Sequence, residues 1–207
     1  MTAIIDYGVG NLFSLKSSFA AIGEEAVITG DADVIRRAER LILPGVGAFS
    51  DAAAKLRSTG LDKVVCDEAA GGKPLMGICL GMQLLFDKSF EYGEHDGLSL
   101  IPGNVRPIAD VIPGDLKIPQ IGWNALRFHP GKDGKKSPIF KYIDEGAFVY
   151  FVHSYYAADC SDHVIADTEY GAYLTASVQR DNVYGCQFHP EKSGEVGLNI
   201  LRAFCEL

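Results

Sequence analysis

Short apolar runs alternate with helical patterns through the first 86 residues. Ala3 to Ile5 is an apolar run that ends at Asp6-Tyr7-Gly8. Leu12, Leu15, Phe19 and Ile22 then fall on one face of a helix, and Gly23 stands where a helix C′ residue belongs. Ala26 to Thr29 reads as a second strand and Leu41 to Leu43 as a third, broken by Pro44-Gly45; between them, Asp31 to Ala38 reads as a short helix or turn. Ser50-Asp51 can cap a helix running to about Arg57, and another spans about Leu61 to Ala70. Pro74 to Ile78 reads as a short buried strand, and Leu80 to Phe86 as the first turns of an amphipathic helix. This alternation predicts an α/β fold: an open, mostly parallel (mixed) central sheet flanked by helices.

The second half has a different rhythm. Between Val105 and Cys186 the apolar pieces are short and separated by turn residues: Ile121 to Phe128, Ala147 to Val152, His163 to Asp167, Leu174 to Val178 and Val183 to Gln187. They predict antiparallel or mixed strands added to the parallel core. Pro130 to Ser137, rich in Gly, Lys and Asp, reads as a solvent loop. Ser193 starts a last helix, with Val196, Ile200 and Phe204 on its apolar side. No repeat or low-complexity linker divides the chain, so residues 1–207 are expected to form one domain.

Composition narrows the function classes. An apolar share of 47% and a charged share of 22% are those of an ordinary globular protein. A net charge of −8, with only small basic stretches at Arg36-Arg37 and Lys132 to Lys136, speaks against a nucleic-acid partner. No apolar run approaches a bilayer span and the N-terminus lacks a leader pattern, so a cytoplasmic location without membrane attachment is expected. Five cysteines, odd in number and without a C-x-x-C pair, fit a reducing compartment and argue against a zinc site. Gly8-x-Gly10 and Gly45-x-Gly47 follow strands, but the third glycine of a dinucleotide fingerprint is replaced by Phe13 and Ser50. Neither a nucleotide cofactor nor a metal is expected.

One stretch carries specific chemistry. Gly77-Ile78-Cys79-Leu80-Gly81 joins a strand to a helix with glycine two residues to each side of a thiol, the pattern of a nucleophile elbow with sulfur in place of oxygen. Glycines are expected there because side chains would clash across the turn. The helix dipole would favour thiolate, and the Leu80 N–H would face a developing oxyanion. Cys66, Cys160, Cys186 and Cys205 have no such context and read as packing or surface residues.

A thiol nucleophile needs a base, and the base an orienter. His189-Pro190-Glu191 follows the Val183 to Gln187 run and offers both, although alone it would better suit a loop histidine beside a surface glutamate. His153, in YFVHSYY, is the one competing base, or a pocket residue. Pro44-Gly45-Val46-Gly47 would lie at the same sheet edge, and glycines around Val46 would let that peptide flip; an ordinary turn is the other reading.

GICLGMQLLF with FHPEKS far downstream resembles the class I, triad-type glutamine amidotransferases. IIDYGVGNLFSLKSS, LPGVGAF, PQIGWN, YFVHSYY and GCQFHPEKSGEVGLNILRAF are similar, within them, to the glutaminase subunits of imidazole glycerol phosphate synthase in histidine biosynthesis. The resemblance covers nearly the whole chain. It implies a Cys79, His189, Glu191 triad that hydrolyses glutamine to glutamate and ammonia, with Leu80 and Val46 or Gly47 N–H groups at the oxyanion. It assigns Gln83 to the glutamine α-carboxylate or amino group, and Gly47, Ser154 and Tyr155 to further contacts, mostly through backbone. It also implies a partner, a (β/α)8-barrel cyclase subunit that receives the ammonia in a heterodimer, with Trp123, Tyr150 and Lys192 at the interface. Trp123 would suit a core equally well. A glutaminase of another pathway, such as pyridoxal phosphate synthesis, and a non-catalytic module of the same fold are the alternatives.

Overall fold

The computed structural model describes residues 1–131 and 134–207. Lys132 and Asp133, inside the expected loop Pro130 to Ser137 and the basic stretch Lys132 to Lys136, lie outside the described residues. The first half alternates as the pattern predicts: β1 (Thr2–Ile5), α1 (Leu12–Ala21), β2 (Ala26–Thr29), α2 (Ala32–Arg37), β3 (Arg40–Leu43), α3 (Phe49–Ser58), α4 (Leu61–Ala70), β4 (Leu75–Ile78) and α5 (Leu80–Leu84). Short strands follow: β5 (Lys88–Ser89), β6 (His95–Asp96), β7 (Asn104–Pro107), β8 (Gln120–Ala125), β9 (Arg127–Phe128), β10 (Phe148–His153), β11 (Tyr155–Ala158), β12 (Val164–Glu169), β13 (Tyr173–Arg180) and β14 (Val183–Cys186). The last element is α6 (Gly194–Cys205).

An eight-stranded sheet in the order β2-β1-β3-β4-β14-β13-β12-β9 runs through both halves. The first five strands of that order are parallel, and β13, β12 and β9 extend it antiparallel. β8 and β10 form a separate antiparallel pair, and β11, β7, β5 and β6 a small third sheet. The expected class, a mostly parallel sheet with an antiparallel addition, is the one observed.

Both faces of the parallel region are covered, so its strands are apolar without alternation. Ala3, Ile5, Leu41 and Leu43 point to one layer, packed with α2, α3 and α4 residues such as Ile35, Leu56 and Val65. Ile4, Ile42 and Met76 point to the other, where α1 and α6 contribute Leu15, Phe19, Ile200 and Phe204. Among the described residues no helix is long and apolar enough to cross a membrane.

Two local expectations are corrected. Ser50-Asp51 does not cap α3; the helix begins at Phe49 without a cap from its own preceding side chain. Its first N–H instead meets the Glu91 carboxylate, from a segment 42 residues away. The run after Cys79 forms only five helical residues, and every one is buried, so α5 is not amphipathic. Its dipole is correspondingly small, and burial within the sheet layer replaces the expected solvent face.

The elbow glycines are fixed by contact distances. A Cβ at Gly77 would stand 2.6 Å from the Gly81 carbonyl oxygen, and one at Gly81 only 1.8 Å from the Leu43 carbonyl oxygen. Gly81→Ala should therefore destabilise the chain by about 3 kcal/mol or more, because backbone on both sides must give way. Gly146→Ala, where the φ is +83° but nothing lies within 4 Å, should cost about 1 kcal/mol. Urea unfolding of the two variants measures the difference; equal losses would show that the contact at Gly81 relaxes freely.

Candidate active site

Cys79 sits at the end of β4 with φ 55° and ψ −113°, a conformation that L residues rarely adopt. Its N–H donates to the Cys186 carbonyl at 2.7 Å, and its own carbonyl accepts from Gln83 N–H at 3.2 Å. The elbow is thus tied to the end of β14 on one side and to α5 on the other. As the first residue of α5, Leu80 has an N–H with no intrahelical acceptor.

β14 delivers the histidine to the same edge. His189 donates its backbone N–H to the Tyr150 carbonyl at 3.0 Å, and its carbonyl accepts from Ser193 Oγ at 2.6 Å. Pro190 opens a single helical turn, Pro190–Lys192, which brings Glu191 back under the imidazole. His189 Nδ1 and Glu191 Oε1 are 2.8 Å apart. A carboxylate only accepts, so Nδ1 carries the hydrogen and Nε2 is left for the thiol. The Glu191 side chain is only 1% exposed, and among the described residues its Oε2 has no hydrogen-bond partner.

Burial pulls the imidazolium pKa down, but hydrogen bonds and charges from Cys79 and Glu191 outweigh it and push His189 up to about 9. His153 goes the other way. Burial lowers it to about 4, against a hydrogen bond to the Tyr155 carbonyl that raises it and with a further lowering from His189. His153 therefore lines the cavity as a neutral imidazole, and His189 is the histidine with a carboxylate behind it.

A cavity of about 630 Å³ opens over this edge. Val46, Gly47, Cys79, Leu80, Gln83, Ser154, Tyr155, His189 and Lys192 all line it, so it gathers nearly every residue singled out for chemistry. Glu191 stands behind the wall. Trp123 and Tyr150 lie outside it, edge to face at 6.0 Å, with Lys192 Nζ 5.8 Å from the Tyr150 ring. Trp123 is 52% exposed, which excludes the core reading. It shares one face of the β8–β10 pair with Ile121 and Phe148, 60% and 57% exposed.

The loop Pro44 to Gly47 behaves differently from expectation on one side. Gly47 has the positive φ, +93°, with open space around it, whereas a Cβ at Gly45 would lie 2.6 Å from the Gly81 nitrogen. Gly45 is required for close approach, and conformational freedom rests with Gly47. Tyr155 is also more committed than expected: its carbonyl accepts both from Gln83 Nε2 at 3.1 Å and from His153 Nδ1 at 2.8 Å. Both lone pairs are used, so that carbonyl offers nothing to a ligand.

Three residues escaped the sequence reading. Tyr7 is buried and donates its hydroxyl to the Pro44 carbonyl at 2.6 Å, fixing the start of that loop. Glu91 lines the cavity while capping α3, and Tyr92 lines it beside Tyr155 with ring centroids 6.4 Å apart. Tyr7 lay within a quoted motif, but nothing local to Glu91 or Tyr92 signals a site. Among the described residues no group of three His, Cys, Asp or Glu side chains is placed to hold a metal ion.

The family model described as "Glutamine amidotransferase class-I" matches residues 3–206. A protein named "Imidazole glycerol phosphate synthase subunit HisH" from Caldanaerobacter subterraneus subsp. tengcongensis is 49% identical over 208 residues, covering 100% of this chain and 98% of that one. A protein of the same name from Wolinella succinogenes is 46% identical over 209 residues, with 100% of both chains covered. Among solved structures, "Structure of PurLQS from Thermotoga maritima" contains a chain similar in fold, with a TM-score of 0.76 at 18% identity, over 99% of this chain and 97% of that one.

The ionisation of the pair sets a pH dependence of stability. His189 is raised from its ordinary value of 6.5 to about 9 on folding. Its contribution is therefore fully present below about 6.5 and is lost as pH rises through about 9. It is on the order of 3 kcal/mol. Glu191→Gln removes one source of the rise and should flatten the unfolding free energy between pH 6.5 and 9.5. Urea unfolding across that window decides it; parallel curves for the two proteins would show that Glu191 does not hold the proton on His189.

Proposed function

The chain belongs to the class-I glutamine amidotransferase family, and we propose that it hydrolyses glutamine to glutamate and ammonia as the glutaminase subunit of an imidazole glycerol phosphate synthase, in histidine biosynthesis. One observation carries the chemistry: a thiol on a strained elbow and a histidine hydrogen-bonded to a buried glutamate open on one cavity. Full-length likeness to proteins named HisH supports the pathway. We read residues 1–207 as one domain, because the parallel and antiparallel halves share one sheet.

In this reading the Cys79 thiolate attacks the side-chain amide carbon of glutamine. The oxyanion that forms is received by the Leu80 N–H and by an N–H at Val46 or Gly47. His189, protonated at neutral pH and oriented by Glu191, gives its proton to the departing nitrogen; the C–N bond breaks and ammonia leaves a glutamyl thioester. Neutral His189 then takes a proton from water as the water attacks the thioester. The C–S bond breaks, glutamate leaves, and the thiolate and imidazolium are restored.

Substrate recognition follows from which polar atoms remain available. The Gln83 NH2 is spent on Tyr155 and Gln187, so the group it offers the cavity is its carbonyl oxygen. An acceptor suits the α-ammonium of glutamine rather than its carboxylate, and the Glu91 carboxylate on the same cavity wall suits it too. Gly47, Ser154 and Tyr155 remain as further contacts through their N–H groups.

The partner reading rests on surface continuity. Ile121, Trp123, Phe148 and Tyr150 form an apolar face on β8–β10, and the next residue of that face in β10, Val152, already lines the cavity. A cyclase subunit docked there, against Trp123, Tyr150 and Lys192, would close the cavity mouth and receive ammonia without releasing it to water.

Cys79→Ala should lower glutamine-dependent synthesis by about 10⁴-fold or more. Synthesis from added ammonium salts in the complex with the cyclase should remain. Loss of both would assign Cys79 a structural role. The free Gly47 side of the oxyanion loop further implies that the isolated chain hydrolyses glutamine slowly, and that the ligand-bound cyclase raises turnover by a factor of about 100 or more. Equal turnover with and without the cyclase would remove the conditional loop from the mechanism.

A further inference from the structure

Gln187 is a fully buried amide two residues before His189, between the apolar Cys186 and Phe188. Its backbone is accounted for by the sheet, since its N–H donates to the Ala176 carbonyl at 2.8 Å. Its side chain does something else. Gln187 Oε1 accepts from Gln83 Nε2 at 3.0 Å, and Gln187 Nε2 donates to Cys79 Sγ at 3.8 Å. A buried amide without such partners is costly, and an apolar residue would fill the position without that cost.

The direction of this chain is set from its far end. Tyr155 offers Gln83 only a carbonyl, so Gln83 turns its NH2 that way. The same NH2 reaches Gln187, which must therefore answer with its oxygen and leave its own NH2 for the sulfur. The carbonyl at one end fixes the direction of both amides.

We propose that Gln187 is a further catalytic residue: its side-chain N–H holds the Cys79 sulfur as thiolate and couples it to Gln83, the residue on the substrate side. A hydrogen bond to a charged sulfur is roughly twice as strong as one to a neutral thiol. The contact therefore favours thiolate before attack and again when the thioester expels it. α5, only five residues long, offers little dipole for that task, which leaves the task to His189 and Gln187. The proposal rests on Cys79 being the nucleophile.

The test uses the full chain and iodoacetamide, a small electrophile that needs no glutamine site, with modification of Cys79 followed by peptide mass spectrometry. Gln187→Met keeps the length of the side chain and removes the donor. It should slow alkylation of Cys79 at pH 7 by about tenfold and move the alkylation profile to higher pH. In the complex with the cyclase, kcat should fall about tenfold with KM changed less than about threefold, because Gln83 keeps its bond to Tyr155. An unchanged alkylation rate and pH profile in a folded Gln187→Met chain would overturn the proposal. Failure of the unsubstituted chain to be modified at Cys79 would instead strike at the nucleophile assignment. Where substitution prevents folding, the side-chain NH2 resonances of Gln187 in the unsubstituted chain give the same decision. They should shift when Cys79 is alkylated, and resonances that stay in place would refute the contact.

Discussion

The parallel pairing of β4 with β14 is the constraint on which the site depends. Ile78 stands opposite Cys186, and the N–H of the next residue, Cys79, donates to the Cys186 carbonyl at 2.7 Å. Two segments more than a hundred residues apart in sequence therefore end at one sheet edge. β4 leaves it on the elbow, and β14 runs on for three residues to His189. The pairing is specified by burial, since every residue of both strands is buried. A slip of one residue would send Cys79 and His189 to opposite faces of the sheet and dissolve the cavity between them.

Close backbone approach then arranges the neighbouring loops around that edge. Gly81 lets α5 lie against the Leu43 carbonyl, and Gly45 lets the following loop lie against Gly81. Tyr7 holds the start of this loop through the Pro44 carbonyl, and Glu91 holds its end through the Phe49 N–H. Between these two anchors, Val46 and Gly47 are exposed, and Gly47 alone carries a positive φ with open space around it. A peptide fixed at both ends and free in the middle is a physical basis for an oxyanion donor whose direction depends on what docks beside it.

Legibility in the sequence followed the range of the interactions. The βα alternation of residues 1–86, the αL glycine after α1 and the bounds of α4 came from local periodicity, which parallel strands and their crossovers preserve. The elbow was readable because steric demand writes itself into Gly77 and Gly81. By contrast, β5, β6, β7 and β11 went unread: β5 and β6 are only two residues long, and β7 and β11 find each other across a long stretch of chain. The start of α3 was misread because its cap comes from Glu91 rather than from Ser50 or Asp51. Gln83, Gln187 and Tyr155 form a polar chain that no spacing rule announces. The core reading of Trp123 stayed open in the sequence because a two-stranded sheet with one apolar outer face alternates no differently from a buried edge.

The fate of the ammonia connects the site to that outer face. In the proposed reaction His189 gives up its proton to make ammonia, and a second acid near the product that is stronger than ammonium would convert it to ammonium. His153 is the other histidine on the cavity wall, and burial holds it at about 4, so it has no spare proton at neutral pH. Its Nδ1 hydrogen is already committed to the Tyr155 carbonyl, and its buried Nε2 is an acceptor without a partner among the described residues. Toward the β8–β10 face the wall carries Val152 and Lys192, and Ile118 and Pro119 add further apolar lining. An apolar wall with one cation favours neutral ammonia over ammonium on that side. The same Lys192 approaches Tyr150 outside and sits next to Glu191 in sequence, so contact at the apolar face acts one residue from the carboxylate that is hydrogen-bonded to His189.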